Sequence, residues 1–115
     1  MIYIPPRRDF FMDTQDLQTG IALIRKDFNL DESELAIHEA ELSHEVLLSR
    51  LTRIVSYLLE KDFGKLLQVL YRIDISEDRL KAVLASNEAE PSLLISRMIL
   101  DREMQKVATR KKYSS

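Results

Sequence analysis

The chain has no cysteine and no tryptophan, and only two glycines and three prolines among its 115 residues. Without cysteine there is no disulfide scaffold, no thiolate metal site and no cysteine nucleophile, a composition that fits a reducing compartment. Scarce glycine and proline, with aromatics at 7%, leave too little turn chemistry and too few β-formers for a sheet protein, so the composition points to an all-α fold. Long apolar runs are missing too. The longest covers a few residues, far short of the ~20 that a membrane-spanning helix needs. The opening "MIYIPPRRDFF" has no basic start followed by a long apolar stretch, so no secretory signal is read there, and the expected location is the cytoplasm. Also lacking are a glycine-rich phosphate loop, a nucleophile elbow and a metalloprotease motif. Nothing aligns a serine with a histidine for a catalytic triad. The expectation is a non-enzymatic role.

What is present is the material of a core. Apolar residues make up 45% of the chain, enough for one domain. The net charge of −2 argues against a dedicated nucleic-acid binder. The charge is polarised: residues 1–60 hold 11 acids and 6 bases, residues 61–115 hold 8 acids and 11 bases. Such polarity suits oriented docking or self-association, and it also arises when helices simply turn charged faces to water.

Helix starts are well marked. Residues 1–12 read as an extended arm, in which Ile2, Tyr3 and Ile4 precede a Pro5-Pro6 pair that forbids a helix. A single helical domain is expected over 13–110, followed by a basic, frayed tail over 111–115. Asp13 is the first N-cap, with Met12 and Leu17 as a hydrophobic staple, and Leu17, Ile21, Ile24 and Phe28 fall on one face. Gly20 within that helix marks a possible close helix contact. Asp31, with Glu34 three residues on and Leu30 and Leu35 as staple, has the pattern of a capping box. No proline or glycine follows until Gly64, so one helix is predicted from 31 to 61. Asp62 and Ser76 look like the caps of two more. "SNEAEPS" reads as a loop, and Pro91 suits the first turn of a last helix.

A second helix of about thirty residues would be roughly 45 Å long, longer than a compact domain of this size covers. Its apolar positions deepen the point. Ile37, Ala40, His44, Leu47, Leu51, Ile54 and Leu58 are spaced 3, 4, 3, 4, 3, 4, a heptad-like seam, while Leu35, Leu42 and Val46 form a second stripe. The last helix is doubly apolar as well, with Leu93, Leu100, Met104 and Val107 on one face and Leu94, Ile95, Met98 and Ile99 on the other. Two doubly apolar helices predict a homodimer, with the seam and the face of Leu94 and Met98 as interface.

His44 sits on that seam, one predicted turn after Glu41. As a core histidine it would fix register between helices. As a metal ligand with Glu41 it would supply half of the Glu-x-x-His pairs used by di-iron and di-manganese bundles, a second chain supplying the other half and Glu45, Glu34 or Asp101 an extra carboxylate. A transition metal would be the cofactor in that case. As an interface switch it would titrate near pH 6.5. The segment "KDFGKLLQVLYRIDISEDRLKAVLASN" has helix-turn-helix spacing, but the second helix would open with Glu77-Asp78, which phosphate repels. The basic end (Arg102, Lys106, Arg110, Lys111, Lys112) offers a weak nucleic-acid surface.

"LLQVLYRIDISEDRLKAVLA", followed by "LISRMILDREMQKVATRKKY", resembles the C-terminal half of small bacterial helical proteins of no known activity. The likeness covers about half the chain, and it implies a bacterial origin and a helical fold but no site. The leading expectation is a helical protein–protein interaction module, an adaptor or regulatory subunit. A metal-binding bundle across a homodimer is the first alternative, and a weak nucleic-acid binder the second.

Overall fold

The computed structural model describes residues 13–86 and 90–113. The expected arm over residues 1–12 and the Met12 half of the first staple lie outside the described residues. The remainder is all-α: α1 Thr14–Phe28, a 3₁₀ turn Glu39–Glu41, α2 His44–Lys61, α3 Phe63–Ile73, α4 Glu77–Ser86 and α5 Pro91–Tyr113.

Four of the five helices begin where the caps place them. The Asp13 carboxylate accepts from Asp16 N–H at 2.8 Å, and Asp16 reaches back to Asp13 N–H at 3.2 Å, so two orphan donors are met reciprocally. Asp62 ends α2 and starts α3 at once. Its N–H donates to Leu58 C=O, and its carboxylate accepts from Lys65 N–H at 3.2 Å. Ser76 Oγ accepts from Arg79 N–H to open α4. Asn29 and Asp74, at φ 57° and 74°, close α1 and α3 in the left-handed conformation, whose local hydrogen bonds satisfy the last carbonyls.

The predicted helix over 31–61 is corrected by the structure. The Asp31–Glu34 capping box forms, with Asp31 Oδ1 accepting from Ser33 and Glu34 N–H and Glu34 Oε1 accepting from Asp31 N–H. It closes one turn only. Leu35 then turns to φ 61° and is buried in the core. Arg25 on α1 explains how the break is held. Its guanidinium donates to the carbonyls of Glu32, Glu34 and Leu35 at 3.1, 2.9 and 3.2 Å, the acceptors a growing helix would need for its own N–H groups. Residues 36–38 run on without regular structure, and His38 Nδ1 caps the 3₁₀ turn through Ala40 N–H at 3.1 Å. A second start follows at Ser43, whose Oγ accepts from Val46 N–H at 3.1 Å. The helix that results, α2, has 18 residues, about 27 Å. It fits inside a molecule measuring 43 × 39 × 25 Å, and its length gives no reason for a second chain to cover it.

α5 is the central element, packed against α1, α2, α3 and α4. Its two apolar faces are covered by its own chain: Ile95, Ile99, Leu100, Met104 and Val107 are buried, with Leu93, Leu94 and Met98 half-buried. The helix continues past the expected end at Arg110 to Tyr113. Lys111, read as part of a loose tail, is instead tied to the partly buried capping box of α1 through Asp16 Oδ2 at 3.0 Å, a bond that holds the lysine pKa above its ordinary value. The expected close contact at Gly20 is real. A Cβ built there would lie 2.6 Å from Met104 Sδ. Gly20→Ile adds a branched side chain that Met104 cannot clear by rotating, and it is expected to destabilise the fold by about 1–3 kcal/mol, read as a lowered urea midpoint at unchanged m-value.

Candidate interaction surface

The residues singled out on the second helix are scattered by the break. Glu41 ends the 3₁₀ turn and His44 opens α2, with Leu42 and Ser43 extended between them. The pair does not share a helical turn, and both side chains are exposed. Among the described residues no group of three or more histidine, aspartate or glutamate side chains gathers to hold a metal. The seam is divided likewise. Leu47, Leu51 and Leu58 are buried in the chain's own core. Ile54, Ile37 and Met98 pack half-buried against it and Leu94 is half-buried, while Ala40 and His44 face water. Ile37 and Ala40 precede α2 altogether, so no continuous heptad face exists.

The basic side chains are similarly engaged. Arg102 donates to Ile73 C=O at 3.2 Å and pairs with Asp74. Arg72 donates to Asp27 C=O at 3.0 Å. Lys106 lies between Glu103 and Asp27, 3.4 and 4.0 Å from their oxygens. Three arginines (25, 72 and 102) therefore brace the ends of helices and the loop after α1. Their donor forks suit carbonyl groups arranged this way. No helix of the described residues is long and apolar enough to cross a membrane.

What stands out is the outer face of α3 and α4. Helical spacing of four places Phe63, Leu67 and Tyr71 along one edge of α3. Phe63 is 40% exposed and Tyr71 85%. At Tyr71 the stripe enters an open groove of about 810 Å³, with Leu67, Leu70, Ile75 and Leu80 beneath and Asp74, Ser76 and Glu77 at the α4 end. One turn on from Leu80 is Leu84, 41% exposed. In the sequence, a tyrosine at the edge of an apolar face can be a surface contact but is more often packing. The available signal was the spacing 63, 67, 71 on a helix whose buried residues are 66, 69, 70 and 73.

A second feature lies inside. Glu103 is fully buried, and neither carboxyl oxygen accepts a hydrogen bond from the described residues, Lys106 being near but out of line. Burial first and the facing Asp27 second, opposed by Lys106, leave its pKa raised to about 8. In the protonated state the carboxyl can donate to Asp27, which resolves its lack of partners. Glu103 lines neither the α3–α4 groove nor the one bordered by Asn29, Gly64 and Gln68, and the α3–α4 face is the better candidate for contact with another molecule. No protein family, curated protein or solved structure matches the chain.

Proposed function

We propose that the chain is a non-enzymatic helical interaction module that docks a protein partner on its α3–α4 face. The observation that carries this reading is Tyr71. It is a large aromatic side chain left 85% exposed beside an apolar groove, in a chain whose core is otherwise closed. Exposed apolar surface that is contiguous marks contact sites, and tyrosine at such a place is a common anchor. The bracing of the α3–α4 turn by Arg102 supports the reading further, because a prearranged surface loses less entropy on docking.

A photo-crosslinking residue placed at position 71 tests it, with position 57 as control. Tyr57 is 62% exposed on α2 and does not line the α3–α4 groove. Irradiation of cells making the chain at native level is expected to give one or two discrete adducts from position 71 and none from position 57. No adduct at 71, or equal adducts at both, overturns the reading.

A further inference from the structure

We infer that the broken segment between α1 and α2 is a hinge, and that two copies of the chain exchange α1 by straightening it. In the closed form described above, α1 packs on its own α5, with Met104 against Gly20 and Lys111 on Asp16. In the exchanged form residues 31–61 make one helix, and each α1 takes the same seat on the partner copy's α5. This goes beyond the docking reading, since it uses neither Tyr71 nor the α3–α4 groove. The exchange needs no new complementary surface, because the surface that receives α1 is the one that already holds it.

The segment is strained and helix-competent at once. Leu35 is held at φ 61°, a left-handed conformation that is costly for any residue with a Cβ. Glycine or proline would hold such a break cheaply, yet residues 31–63 contain neither. Short hinges under strain invite exchange between copies. The nucleus of the longer helix is also in place, because Asp31 and Glu34 already cap each other's N–H groups, and extending a helix is easier than starting one. Growth is stopped by Arg25, which takes the carbonyls of Glu32, Glu34 and Leu35, and by the burial of Leu35. Arg25 belongs to α1. When α1 leaves, the clasp leaves with it, and those carbonyls become acceptors for the helix.

Geometry then requires a second copy. Straightened, the stretch 31–43 carries the end of α1 about 20 Å beyond the start of α2. Residues 29 and 30 alone join the two helices and span at most about 7 Å, so α1 cannot return to its seat on the same α5. A vacant seat exists on another copy that has opened in the same way, and the reciprocal exchange closes as a two-fold dimer. Helical spacing places Ser33, Ala36, Ile37, Ala40 and His44 on one side of the straightened helix, where two hinges can cross without setting acid on acid. All but Ile37 face water in the closed form, so turning them inward breaks little packing. Glu32 and Glu39 flank that side on one edge, Glu34 and Glu41 on the other, and salt screens their repulsion.

The test is refolding of the full chain at millimolar concentration in high salt, followed by gel filtration. Beside the monomer of 13.4 kDa, a fraction of twice that mass is expected, with a stronger helical circular-dichroism signal per residue. Refolding an equal mixture of light and isotope-labelled chains identifies the exchange. Carbodiimide couples Asp16 to Lys111, whose charged atoms lie 3.0 Å apart, and in the dimer fraction the coupled peptides are expected to join light to heavy chains. Arg25→Ala, which opens the clasp, is expected to raise the dimer fraction at least about tenfold. His38→Pro is expected to abolish it, alone or combined with Arg25→Ala. Its backbone φ of −60° already suits proline, whereas proline within a continuous helix breaks it. Where Arg25→Ala does not fold, the wild-type dimer and its loss in His38→Pro decide the matter. Monomer alone from the wild type, with none but monomer or unfolded chain from Arg25→Ala, overturns the inference. So does a dimer whose Asp16–Lys111 links stay within single chains, or one that His38→Pro leaves unchanged.

Discussion

Leu51→Asp is expected to unfold the chain, where an interface role would have it separate two folded copies. Leu51 is completely buried near the middle of α2, and α2 has its most extensive contacts with α5. Removing a buried leucine side chain costs about 2–5 kcal/mol through lost transfer energy and the cavity left behind. The carboxylate adds to this, because it must either stay charged in an apolar site or take up a proton. Domains of this size are stable by about 5–15 kcal/mol, so the variant loses half of that or more. Far-ultraviolet circular dichroism and a thermal melt check it. The expected result is loss of most helical signal, or a broad transition without a cooperative midpoint. Tyr57→Asp, six residues on and 62% exposed, serves as control, with an expected change within about 0.5 kcal/mol. A folded, cooperative Leu51→Asp monomer would move the residue out of the core and restore the seam as an interface.

Glu103→Gln is expected to stabilise the protein at pH 9 and to leave it almost unchanged at pH 5. The buried carboxyl has its pKa raised to about 8 by burial first and by Asp27 second, while an unfolded glutamate titrates near 4.3. Between these values the folded chain holds a proton that the unfolded chain releases. Stability from this site is therefore complete below about pH 4.3 and is lost as pH rises towards 8 and beyond. Each pKa unit corresponds to about 1.4 kcal/mol, so the loss amounts to a few kcal/mol. Glutamine has the same shape, can donate to Asp27, and cannot ionise. Urea unfolding at pH 5, 7 and 9 gives the comparison, and the difference between wild type and variant isolates this group from every other titration. A difference that does not grow with pH would mean that Glu103 is ionised in the fold and that Lys106, at 3.4 Å, satisfies it.

Much of the fold was legible because its helix starts use short-range chemistry. Asp13, Asp62, Ser76 and Pro91 each announce a helix within four residues, and each one forms. Gly20 announced a close approach in the same way. The break at 35–43 was not legible, because it depends on Arg25, which is distant in sequence and takes the carbonyls of residues 32, 34 and 35. The Asp31–Glu34 pattern was read correctly as a cap and wrongly as the start of a long helix. A capping box nucleates a turn, and packing decides whether it propagates. The second start did leave a trace: Leu42 and Leu47 stand at the staple positions around Ser43. Glu103 also had a signal, as a charged residue inside the apolar set Leu100, Met104 and Val107. The α3–α4 face was hidden for the opposite reason. Its residues follow ordinary helical spacing, and only the packing shows which of them the chain itself leaves uncovered.

The central position of α5 has a consequence for how the chain comes into being. The helix that α1, α2, α3 and α4 all lean on is the one translated after them. While residues 14–86 are being made, the inner sides of α1 and α2 await a support that does not yet exist. The nascent chain can form its capped turns one at a time, but no subset of the first four helices can close the core. Closure of the core is thus expected to wait until α5 leaves the ribosome, the inner sides of α1 and α2 staying uncovered by it until then.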